Sequence, residues 1–198
     1  MCGQFAVLGS INAIKKYYEF LQASNTALDD EFFFQYQGST FYSLPKEFVK
    51  PMDYMPILIN HQQSIKILTA RWGLVPFWAK DDSFSTKTIN ARLESIHEKP
   101  SFKYAYQQRR CLIPSTGFYE RDKSKKLLYF DLEVNQTLHK ASSFKSLAGI
   151  YEIWGKNKLT TFSIITQPAN QKMKYFHDRM PLILEQEAAT QWLYGKNV

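Results

Sequence analysis

Residues 64–72 read Ser-Ile-Lys-Ile-Leu-Thr-Ala-Arg-Trp, and Ile65 and Ile67 alternate with Ser64 and Lys66. A period of two predicts a strand with one buried face. An apolar run at 55–60 precedes it, and His61, Gln62 and Gln63 between the two predict a turn joining a strand pair. Four more segments read as strands: 110–113, 127–133, 147–154 and 159–166. Basic turns at 123–126 and 155–158 separate them. Helical periodicity sits at the two ends and in one middle segment. Ser10 is placed to cap a helix that carries Ile11, Ile14, Tyr17, Tyr18 and Leu21 on one face. Pro100 opens a short helix through Arg109, in which Phe102 and Tyr106 keep the helical spacing. A last helix is predicted over 186–194. The segment 29–44 is irregular and aromatic, and 81–88 is a polar loop. Strands dominate, so the predicted class is α+β: β-rich, with a largely antiparallel sheet or barrel-like core and a few flanking helices. No internal repeat, low-complexity tract or linker divides the chain, and residues 1–198 read as a single domain.

Composition adds limits. The chain has 198 residues, 44% of them hydrophobic, which allows a sizeable core. No apolar run reaches the ~18 residues of a membrane span. No basic region followed by a long apolar stretch marks a secretory leader, so the expected compartment is the cytoplasm. The net charge of +7 fits a polyanionic partner, and fits plain solubility as well. Two cysteines, Cys2 and Cys111, make neither a disulfide framework nor a metal quartet. The four histidines show no ligand spacing, and neither metal nor cofactor is expected.

Candidate chemistry begins at the second residue. If Met1 is removed, Cys2 carries an α-amine and a thiol on adjacent carbons. Their ordinary pKa values of about 8 and 8.5 leave both partly deprotonated near neutrality. Such a terminus condenses with an aldehyde to an imine, and the thiol then closes a thiazolidine ring. Further along, Asn90 and Arg92 stand two apart, so an extended backbone points both the same way. Glu120 lies among aromatics in Gly117-Phe118-Tyr119-Glu120, and burial there would suit it to proton transfer. His177 precedes Arg179 by two. Trp72 to Trp78 form a Gly- and Pro-punctuated aromatic loop able to stack on unpaired bases. Each also has an ordinary reading. Spacing alone favours Glu120 as a solvated carboxylate paired with Arg121 or Lys123, and His177 as a surface or core-edge residue. Arg92 and Arg179 have Glu94 and Asp178 nearby for surface ion pairs. Trp72 fits the core better than a stacking platform, whereas Trp78 is expected to be exposed.

In order, Met1-Cys2-Gly3, Trp72 to Trp78, Ile89-Asn90-Ala91-Arg92, Gly117 to Glu120 and His177-Asp178-Arg179-Met180-Pro181 resemble the SOS-response-associated peptidase family. The resemblance spans residue 1 to about residue 193. It implies an abasic-site sensor of the DNA damage response that binds single-stranded DNA and links covalently to the lesion. The opened abasic sugar supplies the aldehyde, and Cys2 supplies amine and thiol. By the same resemblance Asn90 holds the reacting terminus. Glu120 acts as acid and base in sugar opening and imine formation, with lyase-like character, and His177 assists proton transfer. Arg92 and Arg179 contact the DNA backbone, Trp78 props the strand apart, Thr166 lies near the pocket, and Lys99 is a further phosphate candidate. A monomer is expected.

The chain departs from the family at several places. Gln4 replaces an arginine, Tyr42-Ser43-Leu44-Pro45 replaces Asn-Val-Ala-Pro, Ala79 replaces a second tryptophan and Arg121 replaces another. Family chains continue to a Pro-Val-Ser-like strand, so this one reads as C-terminally truncated or as a natural short form. Two other functions compete. One is a cysteine peptidase, a hydrolase that releases its own terminal cysteine. The other is a non-covalent single-stranded DNA-binding module.

Overall fold

The computed structural model describes residues 3–22, 44–62, 64–132 and 144–195. Expectations for Cys2, for residues 29–43, for Gln63 and for Glu133 lie outside the described residues. In chain order the elements are β1 (Gln4–Val7), α1 (Ile11–Tyr17), β2 (Lys46–Val49), β3 (Tyr54–His61), β4 (Ser64–Trp72), β5 (Asn90–Arg92) and α2 (Lys103–Gln108). There follow β6 (Arg110–Ser115), β7 (Gly117–Arg121), β8 (Leu127–Asp131), β9 (Lys145–Trp154), β10 (Leu159–Pro168), β11 (Arg179–Pro181), β12 (Ile183–Leu184) and α3 (Gln186–Leu193).

The alternation in 64–72 does form the predicted hairpin. β3 and β4 pair antiparallel from Tyr54↔Arg71 to His61↔Ser64, and Gln62 turns the chain with φ 51°. Ile65 and Ile67 face the core. The strands β10, β4, β3, β6 and β9 are hydrogen-bonded in that order, and β9 pairs back onto β10, so five strands close into a ring. Closure removes the exposed edges that an open sheet presents. All contacts in the ring are antiparallel except β10 with β4. A second, antiparallel sheet runs β2-β1-β7-β8. Phe5 of β1 meets Trp72 of β4 edge to face at 5.2 Å, and Trp72 stacks on Phe162 at 6.3 Å, so aromatic packing joins the two sheets. The β-rich α+β expectation holds.

Helices fall near their predicted places. The Ser10 side chain accepts from the Ala13 N–H at 3.2 Å and caps α1. α3 buries Trp192, whose Nε1 donates to the carbonyls of Cys111 and Gly149. The middle helix begins at Lys103, not at Pro100, because the Lys99 carbonyl takes the N–H groups of Phe102 and Lys103 and makes 99–102 a turn. Among the described residues no helix is long and apolar enough to cross a membrane.

Candidate active site

The carboxyl end of β10 gathers three chain segments. Each edge of β10 serves two partners in turn. Ile164 pairs with Gly149 of β9 on one edge and Asn90 of β5 on the other, and Thr166 pairs with Arg92 and with Pro181 of β11. β5 is only three residues long, so its position comes from its neighbours. Trp72 Nε1 donates to the Ile89 carbonyl at 2.8 Å, and Ile164 N–H donates to the same oxygen at 3.1 Å. The Thr88 hydroxyl donates to the carbonyls of Leu74 and Phe84 and ties the preceding loop down. The Trp72–Trp78 loop turns at Gly73 with φ +121°, and a Cβ there would lie 2.6 Å from the Ser85 carbonyl. Trp72 is buried, as expected, and acts as the peg that sets Ile89 and hence Asn90. Asn90 is half-buried, Ala91 is buried beneath it, and Arg92 is exposed, in the alternation of a strand.

Arg179, at the start of β11, is held on two sides. Its guanidinium donates to both Glu94 oxygens, at 2.7 and 3.1 Å. It also donates to the Thr166 carbonyl at 2.7 Å and to the Thr166 hydroxyl at 3.1 Å. The hydrogen bond from Arg179 holds the Glu94 carboxyl below the usual carboxylate range, against its partial desolvation. One expectation changes here. Arg179 pairs with Glu94, 85 positions away, and not with its neighbour Asp178. Thr166 is fully buried, and its hydroxyl accepts from the Arg179 guanidinium. His177 sits beside them. Its Nδ1 accepts the Arg179 N–H at 2.9 Å, which leaves Nε2 as the nitrogen that carries a proton in the neutral ring. The preceding Phe176 packs edge to face on Phe130 of β8 at 5.3 Å, so this loop bridges from the barrel to the second sheet.

Glu120 comes from that second sheet. It lies within β7, which pairs with β1 through Gln4↔Tyr119 and with β8 through Glu120↔Leu128. It is only 7% exposed, so the reading of a solvated carboxylate does not hold. Its Oε1 accepts from the Arg121 N–H at 3.2 Å, while the Arg121 guanidinium turns away to the Lys125 carbonyl at 2.7 Å. A cavity of about 260 Å³ opens here, lined by Gly3, Gln4, Tyr119, Glu120, Arg121 and Leu127. Gly3 is the residue bonded to Cys2. Gly117 opens β7 where a Cβ would lie 2.2 Å from the Tyr129 hydroxyl, so only glycine lets that ring close over the strand. The other cysteine, Cys111, is buried in the barrel, and desolvation pushes its thiol well up. It is unsuited to attack a substrate.

A third cluster is aromatic and exposed. Trp78 is 45% exposed, with its Nε1 3.4 Å from the Pro100 carbonyl and its ring against Phe84. This places it beside the exposed Lys99. Sequence reasoning had Phe77 within the aromatic loop but missed Tyr104 and the role of Glu94. Glu94 organises Arg179, and Phe77 and Tyr104 extend the aromatic surface next to Trp78. The spacing of Arg92 to Glu94 pointed to a different partner for Glu94, and nothing local ties Phe77 to Tyr104.

Comparison with known proteins gives the family. The profile of the family described as SOS response associated peptidase (SRAP) matches residues 1–198. The protein named abasic site processing protein YoaM, from Bacillus subtilis (strain 168), is 33% identical over 200 residues, spanning 100% of this chain and 81% of its own. Abasic site processing protein YoqW from the same strain is 38% identical over 156 residues, spanning 77% of this chain and 68% of its own. A crystal structure of a protein from Bacteroides thetaiotaomicron shares 28% identity at a TM-score of 0.69, covering 97% of this chain and 81% of that one. With a profile that spans every residue and two such relatives, the chain belongs to the SOS response associated peptidase family.

Proposed function

We propose that this chain processes abasic sites in single-stranded DNA and links to them covalently through Cys2. The observation that carries the reading is the cavity beside Glu120, whose wall includes Gly3, the residue bonded to Cys2. A buried carboxylate and the approach to the chain terminus share one space. The relatives' names as abasic site processing proteins supply the substrate.

The chemistry follows from the groups present. Once Met1 is gone, the Cys2 amine attacks the aldehyde carbon of the ring-opened sugar. The carbinolamine loses water to give an imine. The Cys2 sulfur then adds to the imine carbon, and the thiol proton ends on nitrogen. One C–N and one C–S bond form and one water leaves. Glu120 serves as the proton donor and acceptor for sugar opening and dehydration. His177, with Nδ1 committed to the Arg179 N–H, exchanges protons through Nε2. Asn90 steadies the reacting terminus. Arg92 and Arg179 meet phosphates, Lys99 adds charge, and Trp78 wedges the strand, with residues 1–198 acting as one domain.

The test is an adduct assay with a single-stranded oligonucleotide that carries one abasic site. A heat-stable band on a denaturing gel is expected from the chain lacking Met1 and not from a form that retains it. Cleavage of unrelated polypeptides without DNA would favour a peptidase. Salt-sensitive binding with no adduct would favour a non-covalent module.

A further inference from the structure

We infer that Phe77 and Tyr104 form a stacking subsite for a base of the single strand next to the lesion, in addition to the Trp78 wedge. The inference rests on the proposed DNA reading and adds to it. Phe77 is 54% exposed and Tyr104 41% exposed, and their ring centroids lie 4.9 Å apart with a tilt of 57°. Single exposed apolar side chains are ordinary; contiguous aromatic surface with a polar rim marks a binding site.

This surface is held rigid. Ala79 N–H donates to the Pro76 carbonyl, which fixes the turn that carries Phe77, and Trp154 Nε1 donates to the Ala79 carbonyl at 2.8 Å. On the other side the Arg109 guanidinium lies 5.2 Å from the Tyr104 ring centroid. Arg109 is in turn fixed by Glu152, which is 1% exposed and accepts from it at 2.6 Å. A buried ion pair adds little net stability over apolar packing. Its visible effect here is positional: it locks a cation against the ring. Pre-ordered rings lose little entropy when a ligand stacks on them.

The charge rim selects the occupant. Lys99 and Lys103 are exposed on the segment that carries Tyr104, where Glu98 is the one acid of residues 98–109, while the loop after Trp78 sets Lys80 beside Asp81 and pairs Asp82 with Arg71 at 3.1 Å. A basic rim around aromatics suits a stacked base with its phosphates outside. It does not suit a neutral apolar peptide.

The experiment uses a single strand with a reduced abasic analogue, which cannot crosslink, and 2-aminopurine on either side of it. Stacking quenches the fluorescence of one flanking base on binding. Phe77→Ala and Tyr104→Ala should each weaken binding about 5- to 100-fold and restore that fluorescence. Tyr104→Phe, which keeps the ring, should behave as wild type. If wild type crosslinks abasic DNA while both alanine variants bind within about twofold and keep the quench, the subsite is refuted and the covalent reading stands. If wild type forms no adduct yet the variants lose affinity and quench, the subsite stands and the covalent reading fails. If wild type does not bind the strand, both fall.

Discussion

Glu94→Gln isolates the part of the site that differs most from its sequence reading. The substitution removes one negative charge and keeps the side-chain shape. Arg179 retains its bonds to the Thr166 carbonyl at 2.7 Å and hydroxyl at 3.1 Å, so the guanidinium stays in place. What changes is its charge balance. Glu94 now takes two of its donors in a bidentate pair, and without that carboxylate they are open to phosphate. Glu94 is partly exposed, so loss of the pair should lower stability by only about 0.2–1 kcal/mol. If Arg179 gains one phosphate contact, the salt dependence of single-strand binding should steepen by about 0.7 in log K against log salt, and lowering salt from ~200 to ~50 mM should improve binding ~2.6-fold more than for wild type. Fluorescence anisotropy with the reduced abasic analogue, repeated across salt, measures both slopes. A variant that melts near wild type but shows an unchanged or shallower slope would refute the reading that Glu94 limits the hold of Arg179 on the DNA backbone.

Glu120→Gln should slow adduct formation by about 10²–10⁴-fold while leaving affinity for the reduced analogue intact, as measured by quenched-time gels. An unchanged rate would remove Glu120 from the proton-transfer steps. Gly73→Ala forces a Cβ to within 2.6 Å of the Ser85 carbonyl at φ +121°, and should destabilise by about 1–3 kcal/mol, visible as a lower Tm in thermal melts. Burial raises the Glu152 carboxyl to about 7, with Arg109 opposing that rise. Between its unfolded value near 4.5 and about 7 the folded chain therefore keeps a proton that the unfolded chain has lost. The stability difference between wild type and Glu152→Gln should fall as pH rises through that window, by up to about 3 kcal/mol in urea titrations. A difference that grows with pH would contradict the assignment.

Where one face of an element meets solvent, the pattern was legible. The β3–β4 hairpin followed from two isoleucines alternating with polar residues, and α1 from its serine cap and apolar stripe. β1 and β7 did not show, because Phe5-Ala6-Val7 and Gly117 to Glu120 are buried throughout and carry no alternation. β5, β11 and β12 have three residues or fewer and owe their form to β10 and β9, which local sequence does not report. The same division runs through the site. Asn90 and Arg92 were placed by their spacing of two, and Trp78 by its polar neighbours. The burial of Glu120 depends on β1 and β8, so adjacent Arg121 and Lys123 suggested the opposite. Arg179 found Glu94 across the sheet because β5 and β11 flank the same end of β10. Thr166 is buried and braces that arginine, a role that depends on β11 lying beside β10.

The most direct test of the covalent chemistry is the intact mass of the adduct after borohydride treatment. The predicted mass is the chain without Met1 plus the abasic oligonucleotide less one water, with no hydrogen gained, since a closed thiazolidine is not reduced. Cys2→Ser should give at most a species two hydrogens heavier than its own unreduced sum, the mark of a trapped imine. An adduct from Cys2→Ser that forms in equal yield and resists borohydride would contradict the role of the Cys2 sulfur.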